Sequence, residues 1–319
     1  MKPQRTLEAK GMIMQTTFAP GLWRPATRAA VLASLLCAGA VALAAGTLDK
    51  VKETGKLTIA YASDARPFAS TDASGKPTGY AIELCGKVAD AIKGELKLGT
   101  LALDYVALSR DEAFRAVDQA KADLLCGAVP TLERRALVDF SIPVMLSGTG
   151  VAVRSDAPAR LLQALSGTDP GYPIWRGSTD QAPQRAVLAV VGGAPLEKAL
   201  ASRLKERRIV ADILPVKDVD AGLQALGAGT AHAFFSDRAL LLDAVARSKS
   251  SDLLVIDRVF RRDIVALAMR RNDDEFRLAV DRALSRLYRT PEAASIYAKY
   301  FGAPTSGALD FFELVALPD

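Results

Sequence analysis

One histidine, His232, is all the imidazole this 319-residue chain has. Metal centres and acid–base catalysis lean on histidine. This one sits in the strand-like stretch AHAFF (Ala231–Phe235), well separated from every cysteine. It reads as a structural residue, and the sequence offers no metal site, no cofactor and no catalytic residue to assign. Charge of one sign is also missing. The formal net charge is +5, but Lys2, Arg5, Lys10, Arg24 and Arg28 precede residue 46 against Glu8 alone. Removing those five bases and one acid from totals of 41 and 36 leaves the remainder with an excess of one positive charge. A nearly neutral body has no electrostatic footing for nucleic-acid binding. The run Ala29–Ala45 is apolar but diluted by alanine, and it is shorter than the roughly 20 residues of a bilayer span.

Arg24 and Arg28 precede that run and small residues close it, with Ala42-Leu43-Ala44 as a cleavage site. This is the pattern of a secretory signal peptide over residues 1–44. A retained anchor is the alternative. Ser34-Leu35-Leu36-Cys37 has the outline of a lipoprotein site, but Leu36 is large for the position before the cysteine. Met14 makes a more usual start than Met1. A chain cut after residue 44 keeps two cysteines, Cys85 and Cys126, and an even count in an oxidising compartment favours a disulfide. Cys85 shares a helical face with Ala81, Val88 and Ile92, while Cys126 ends the strand-like Asp123–Gly127. A helix packed on a strand brings such a pair within reach; two buried free thiols are the other reading.

The length suits about two domains, and a chain half hydrophobic and 24% charged is an ordinary globular one. From residue 47 strand and helix patterns alternate, as in α/β architecture. Strands are expected at 57–62, 101–107 and 151–154, with a turn at 71–77 and helices at 81–93 and 111–120. A loop-rich stretch, 167–184, separates these from a second unit. There strands are expected at 186–191, 213–216 and 231–235, with helices at 196–206 and 221–226, and the chain finishes with a strand at 264–270. A last helix carries Phe276, Val280, Leu284 and Leu287 on one face. Crossing segments are expected near 146–150 and 261–264.

The densest signal is TLERRALVDFS (Thr131–Ser141), placed directly after DLLCG (Asp123–Gly127) and three intervening residues. A strand-like run stops at a glycine, and a short turn presents two arginines, each a rigid fork suited to a carboxylate. GTLDKVKETGKLTIAY (Gly46–Tyr61), RPF (Arg66–Phe68), GYAIELC (Gly79–Cys85), AFFSDRALL (Ala233–Leu241) and the ending Tyr297–Phe312 extend the pattern. In that order they resemble the periplasmic solute-binding proteins, family 3, that feed polar amino-acid ABC importers. The glutamate/aspartate branch is the most similar, over residues 46–319. The resemblance implies a two-lobed, type II periplasmic binding-protein fold, each lobe a sheet flanked by helices, with the ligand cleft between the lobes. Lobe 1 would be 46–148 plus 262–319, and lobe 2 would be 149–261. It also implies a monomer in the periplasm that closes on a small carboxylate or amino acid and delivers it to an ABC permease in the inner membrane.

Matched residue by residue, Arg134 takes the place of the ligand-clamping arginine and Arg135 is solvated. Thr131 matches the hydroxyl residue opening the turn, with a plain helix N-cap as its other reading. Asp237 matches the amine-binding acid, again against a helix-cap reading. Phe68 and Arg66 match the loop flanking the ligand. Gly193 and Ala194, within Gly192–Pro195, stand where the family has Gly-Thr-Thr at a helix start; Gly177-Ser178-Thr179 is the competing segment. Here both hydroxyls are gone and Pro195 lacks an amide hydrogen. The loop before Thr131 holds only Ala128, Val129 and Pro130. The helical place of the branch's second arginine holds Ala113, with Arg110 a turn away. Glutamate specificity is therefore not implied. Beside ligand capture for import stand two alternatives: a periplasmic enzyme on the same fold, such as a dehydratase of an aromatic amino-acid precursor, and a ligand-sensing receptor input.

Overall fold

The computed structural model describes residues 46–167 and 185–318. The expected signal peptide with its Ala42–Ala44 site, Cys37, Gly177–Thr179 and most of the expected loop at 167–184 lie outside the described residues. Helix α1 (Thr47–Thr54) leads to β1 (Lys56–Ala62). A small three-stranded sheet follows, made of β2 (Asp64–Ala65), β3 (Ala69–Thr71) and β4 (Pro77–Thr78). Next come α2 (Tyr80–Glu95), β5 (Ala102–Leu108), α3 (Arg110–Asp118), β6 (Leu124–Ala128), the one-turn α4 (Leu132–Arg135) and the long β7 (Val138–Arg154). The second lobe continues with α5 (Ala159–Ser166), β8 (Ala186–Val191), α6 (Pro195–Glu206), β9 (Ala211–Val216), α7 (Val219–Gly227), β10 (Ala233–Asp237), α8 (Arg238–Ser248) and β11 (Leu253–Val255). β12 (Arg261–Arg270) returns to the first lobe, and α9 (Asp274–Tyr288), α10 (Pro291–Phe301) and α11 (Ser306–Val315) complete it.

Alternation along the strands sets the layers. Ile59, Leu124 and Leu267 face the same side as the buried stripe of α2, whereas their neighbours Ala60, Leu125 and Ala268 face α3. Leu84, Val88 and Ile92 of α2 recur at helical spacing and are each at most 1% exposed. Burying such a side chain is worth about 1.5–3 kcal/mol, so this stripe, rather than helix propensity, holds α2 down. The second lobe repeats the design, with Phe234 facing α7 and α8 and Phe235 facing the α5–α6 side. The strands run β5-β1-β6-β12-β7-β10-β8-β9 with β11 on β7, the nine described strands of one sheet. β7 belongs to both lobes. Its first part pairs antiparallel with β12, from Val138 opposite Arg270, and its last residues pair with β10 and β11. The lobes therefore meet where β7 and β12 cross together, Thr149 lying opposite Arg261.

The expected strands and helices are present with ends moved by a few residues. The strand expected at 151–154 is only the tail of the 17-residue β7. Pro143, Gly148 and Gly150 disguise its first part. Pro143 lies opposite Ala266, where the register with β12 shifts, and such an irregularity tolerates a residue with no amide hydrogen. The small β2–β4 sheet, α1, α5 and β11 were not foreseen, being short or weakly patterned.

Cys85 and Cys126 form a disulfide, with Cα atoms 6.3 Å apart, joining α2 to β6. Both residues are buried in the first-lobe core. Loss of a native bridge typically costs about 2–5 kcal/mol. Cys85→Ser is expected to melt several degrees below wild type in a thermal scan, and non-reducing peptide mapping should recover the two cysteines linked.

Candidate functional site

One glycine shapes the entrance. Gly79, at φ 129° before α2, has no room for a side chain: a Cβ there would stand 2.3 Å from the carbonyl oxygen of Phe68. The close approach fixes the Asp64–Phe68 loop against α2, and Phe68 is buried with its ring centroid 5.6 Å from that of Phe301. This loop, the start of α3, the β6–α4 connection, the crossing strands and the starts of α6 and α8 surround one cavity. Its volume is about 140 Å³, space for on the order of ten waters.

Arg134 reaches this cavity from α4. The Thr131 hydroxyl accepts a hydrogen bond from the Arg134 backbone amide at 3.1 Å and caps the turn. The guanidinium lies over the Phe114 ring, 4.4 Å from its centroid, and one amino group donates to the Val129 carbonyl at 2.8 Å. Burial, then the neighbouring Arg110 charge, lowers its pKa from the usual 12.5 to about 10. The group stays cationic at neutral pH, and no carboxylate pairs with it among the described residues. Arg110 lines the same wall at the first residue of α3, whose start is held by Glu112 accepting from the Ser109 amide at 3.1 Å. Ala113 lines it too.

Asp237 faces the cavity from the second lobe, at the junction of β10 and α8. One oxygen caps α8 by accepting from the Ala239 amide at 2.8 Å, and the other accepts from the Ser147 hydroxyl on β7. The cap reading is thus realised, in a residue that also lines the cavity. Burial, with a smaller push from the Asp263 charge, raises the Asp237 pKa above 3.8. Asp263 is itself bound to Arg261, with Nε to Oδ1 at 2.9 Å.

Among the other expected site residues, Phe68 and Ala194 line the cavity, while Thr131, Arg66 and Gly193 do not. Thr131 acts on Arg134 instead. Gly193, at φ 72°, gives its amide hydrogen to the Glu197 carboxylate at 2.8 Å. Ala194 is the N-cap of α6 and Pro195 its first residue, so Gly192–Pro195 does run from a strand into a helix. Arg66 points across the lobes to Asp243 of α8 at 3.6 Å, and a second pair, Glu133–Lys198, joins α4 to α6 at 2.9 Å. Both pairs are open to solvent, and exposed pairs contribute little. Arg66→Ala is therefore expected to change ligand affinity by less than about fivefold in calorimetry. Arg135 lies outside the cavity, 5.7 Å above the Phe140 ring. His232 is structural: its Nδ1 accepts from the Val187 amide at 2.9 Å. Among the described residues, no helix is long and apolar enough to cross a membrane and no His, Cys, Asp and Glu cluster is arranged for a metal ion. Sequence reasoning placed Arg110 beside the site without assigning it, and missed Phe114, Ser147 and Asp263. Ser147 touches Asp237 from 90 residues away, a contact that only the path of β7 reveals.

Two α/β lobes on a shared sheet, with charged groups of opposite sign facing one cavity from either lobe, define a binding protein of the hinged, two-lobed class. The relatives are of the same kind. Residues 57–303 match the model of the bacterial extracellular solute-binding proteins, family 3, and the chain belongs to that family. It is 29% identical over 279 residues to an L-glutamate/L-aspartate-binding protein of Pseudomonas aeruginosa, covering 86% of each chain. A glutamate/aspartate import solute-binding protein of Salmonella typhimurium is 25% identical over 263 residues, covering 82% of this chain and 81% of the other. In fold it is similar to the crystal structure of an ancestral amino acid-binding protein, a precursor of cyclohexadienyl dehydratase. That match has a TM-score of 0.64 at 24% identity and covers 81% of this chain and all of the other. The protein is thus an extracellular solute-binding protein of that family.

Proposed function

We propose that the protein captures an α-amino acid by its two charged groups, the carboxylate on Arg134 and the ammonium on Asp237. The observation that carries this reading is the approach of an arginine and an acid, neither ion-paired among the described residues, to one cavity from opposite lobes. Each is half of a charge pair that only a zwitterion completes. Closure of 46–148 plus 262–319 onto 149–261 brings the halves together, with bending where β7 and β12 cross. In this reading the chain is exported by cleavage after residue 44, works as a monomer in the periplasm and delivers its ligand to an ABC permease of the inner membrane. Catalysis is not part of this reading, which the engagement of His232 with Val187 supports.

The test is a thermal-shift screen of the mature protein against the standard amino acids and simple carboxylates. A ligand held at 100 times its Kd raises stability by about 2.7 kcal/mol. At least one amino acid is expected to raise the melting temperature clearly, and to be recovered unchanged after incubation. A hit that is consumed would turn the reading towards an enzyme.

A further inference from the structure

The cavity is lined mostly by apolar side chains, with Asp64, Arg110 and Arg134 from the first lobe and Asp237 from the second as charged groups beside the Arg261–Asp263 pair. Resting on the amino-acid reading above, we infer that the ligand is an amino acid with a bulky apolar side chain, aliphatic or aromatic, rather than an acidic one. From the first lobe the cavity receives Phe68, Phe114, Leu125 and Val129, and from the second Val191 and Leu196. At the start of α6 the second lobe has little with which to hold an anion; its hydroxyls in the lining are those of Thr149 and Ser236. Gly193 gives its amide hydrogen to Glu197, Pro195 has none, and Ala194 and Leu196 bring no hydroxyl. Arg261, the remaining guanidinium of the lining, is held by Asp263.

Arg110 alone would argue for a second carboxylate. It lines the cavity from the same lobe as Arg134, and its charge lowers that residue's pKa, so we place both at one anionic end. One carboxylate has two oxygens and about four lone-pair sites, enough for two guanidinium groups. With the α-carboxylate placed there and the ammonium on Asp237, what remains of the ligand lies on the apolar wall. A carboxylate pressed against those apolar side chains would lose water and meet at most the neutral hydroxyls of Thr149 and Ser236, a large cost. Methylene or ring carbons would gain by leaving water.

Calorimetry on the full mature protein with leucine, phenylalanine, glutamate and aspartate decides the matter. Leucine or phenylalanine is expected to bind at least tenfold tighter than either acidic amino acid. A smaller margin, or tighter binding of glutamate or aspartate, would overturn the inference and leave amino-acid capture standing. Failure of all four, together with every other standard amino acid, would remove the amino-acid reading and this inference with it. A second measurement uses Val191→Thr, which exchanges a methyl for a hydroxyl at nearly constant volume. Its affinity for the preferred apolar ligand is expected to fall at least threefold while that for glutamate stays level or improves. Unchanged apolar affinity in a folded Val191→Thr protein would also count against the assignment.

Discussion

Arg134→Ala is expected to bind its amino acid at least thirtyfold more weakly than wild type, and in most assays not measurably. The guanidinium is partly buried over Phe114 and anchored to the Val129 carbonyl, so its position is set before ligand arrives. Removing one partner of a desolvated charge pair costs about 2 kcal/mol or more, and about 1.4 kcal/mol is tenfold in affinity. Much of that cost is the carboxylate left unpaired in the closed cleft. The control is the next residue: Arg135→Ala should bind normally, because that side chain lies outside the cavity. Wild-type affinity in Arg134→Ala would remove the arginine from the site while leaving the fold untouched.

Asp237→Asn should separate binding from folding. Asparagine caps a helix about as well as aspartate, so α8 keeps its start. The buried charge disappears. Asp237 holds its proton more tightly in the folded, unliganded protein than in the unfolded chain, since burial raises its pKa above 3.8. Its contribution to stability is complete below pH 3.8 and is lost as pH rises through the raised value. The asparagine variant is therefore expected to melt no lower than wild type near neutrality. Binding runs the other way. An ammonium pairs only with the ionised acid, so wild-type affinity for amino acids should fall as the pH is lowered through the raised pKa, and the variant should lack that dependence. At neutral pH the variant should lose about thirtyfold or more for amino acids and little for carboxylates without an amine. Calorimetry at several pH values, with a melting curve at each, checks both halves. Equal losses for both ligand classes would deny Asp237 its ammonium.

Much of this arrangement was legible before any coordinates. Arg134 and Asp237 stand out by their resemblance to family motifs and both line the cavity, while the even cysteine count and the helical face carrying Cys85 favour the bridge to Cys126. What escaped was non-local. Ser147 meets Asp237, Arg110 meets Arg134 and Arg66 meets Asp243 because β7, α3 and the entrance loop converge in space. No periodicity records such meetings. Arg66 is the clearest case, since its loop lines the cavity while its own side chain turns to Asp243 of the opposite lobe. Pro143 hides the first part of β7 differently, as a residue without an amide hydrogen inside a strand whose register shifts opposite it.

The place of β12 has a bearing on how the chain is made. It lies between β6 and β7 in the sheet, yet it is synthesised more than a hundred residues after either begins. Until residue 270 has emerged, β6 and β7 lack the strand that joins them, and Leu267 and Met269 are absent from the core. The closing helix α9 comes later still. Contacts so distant in sequence form slowly. The N-terminal half thus cannot complete its own lobe during synthesis and waits for the last strand of its sheet.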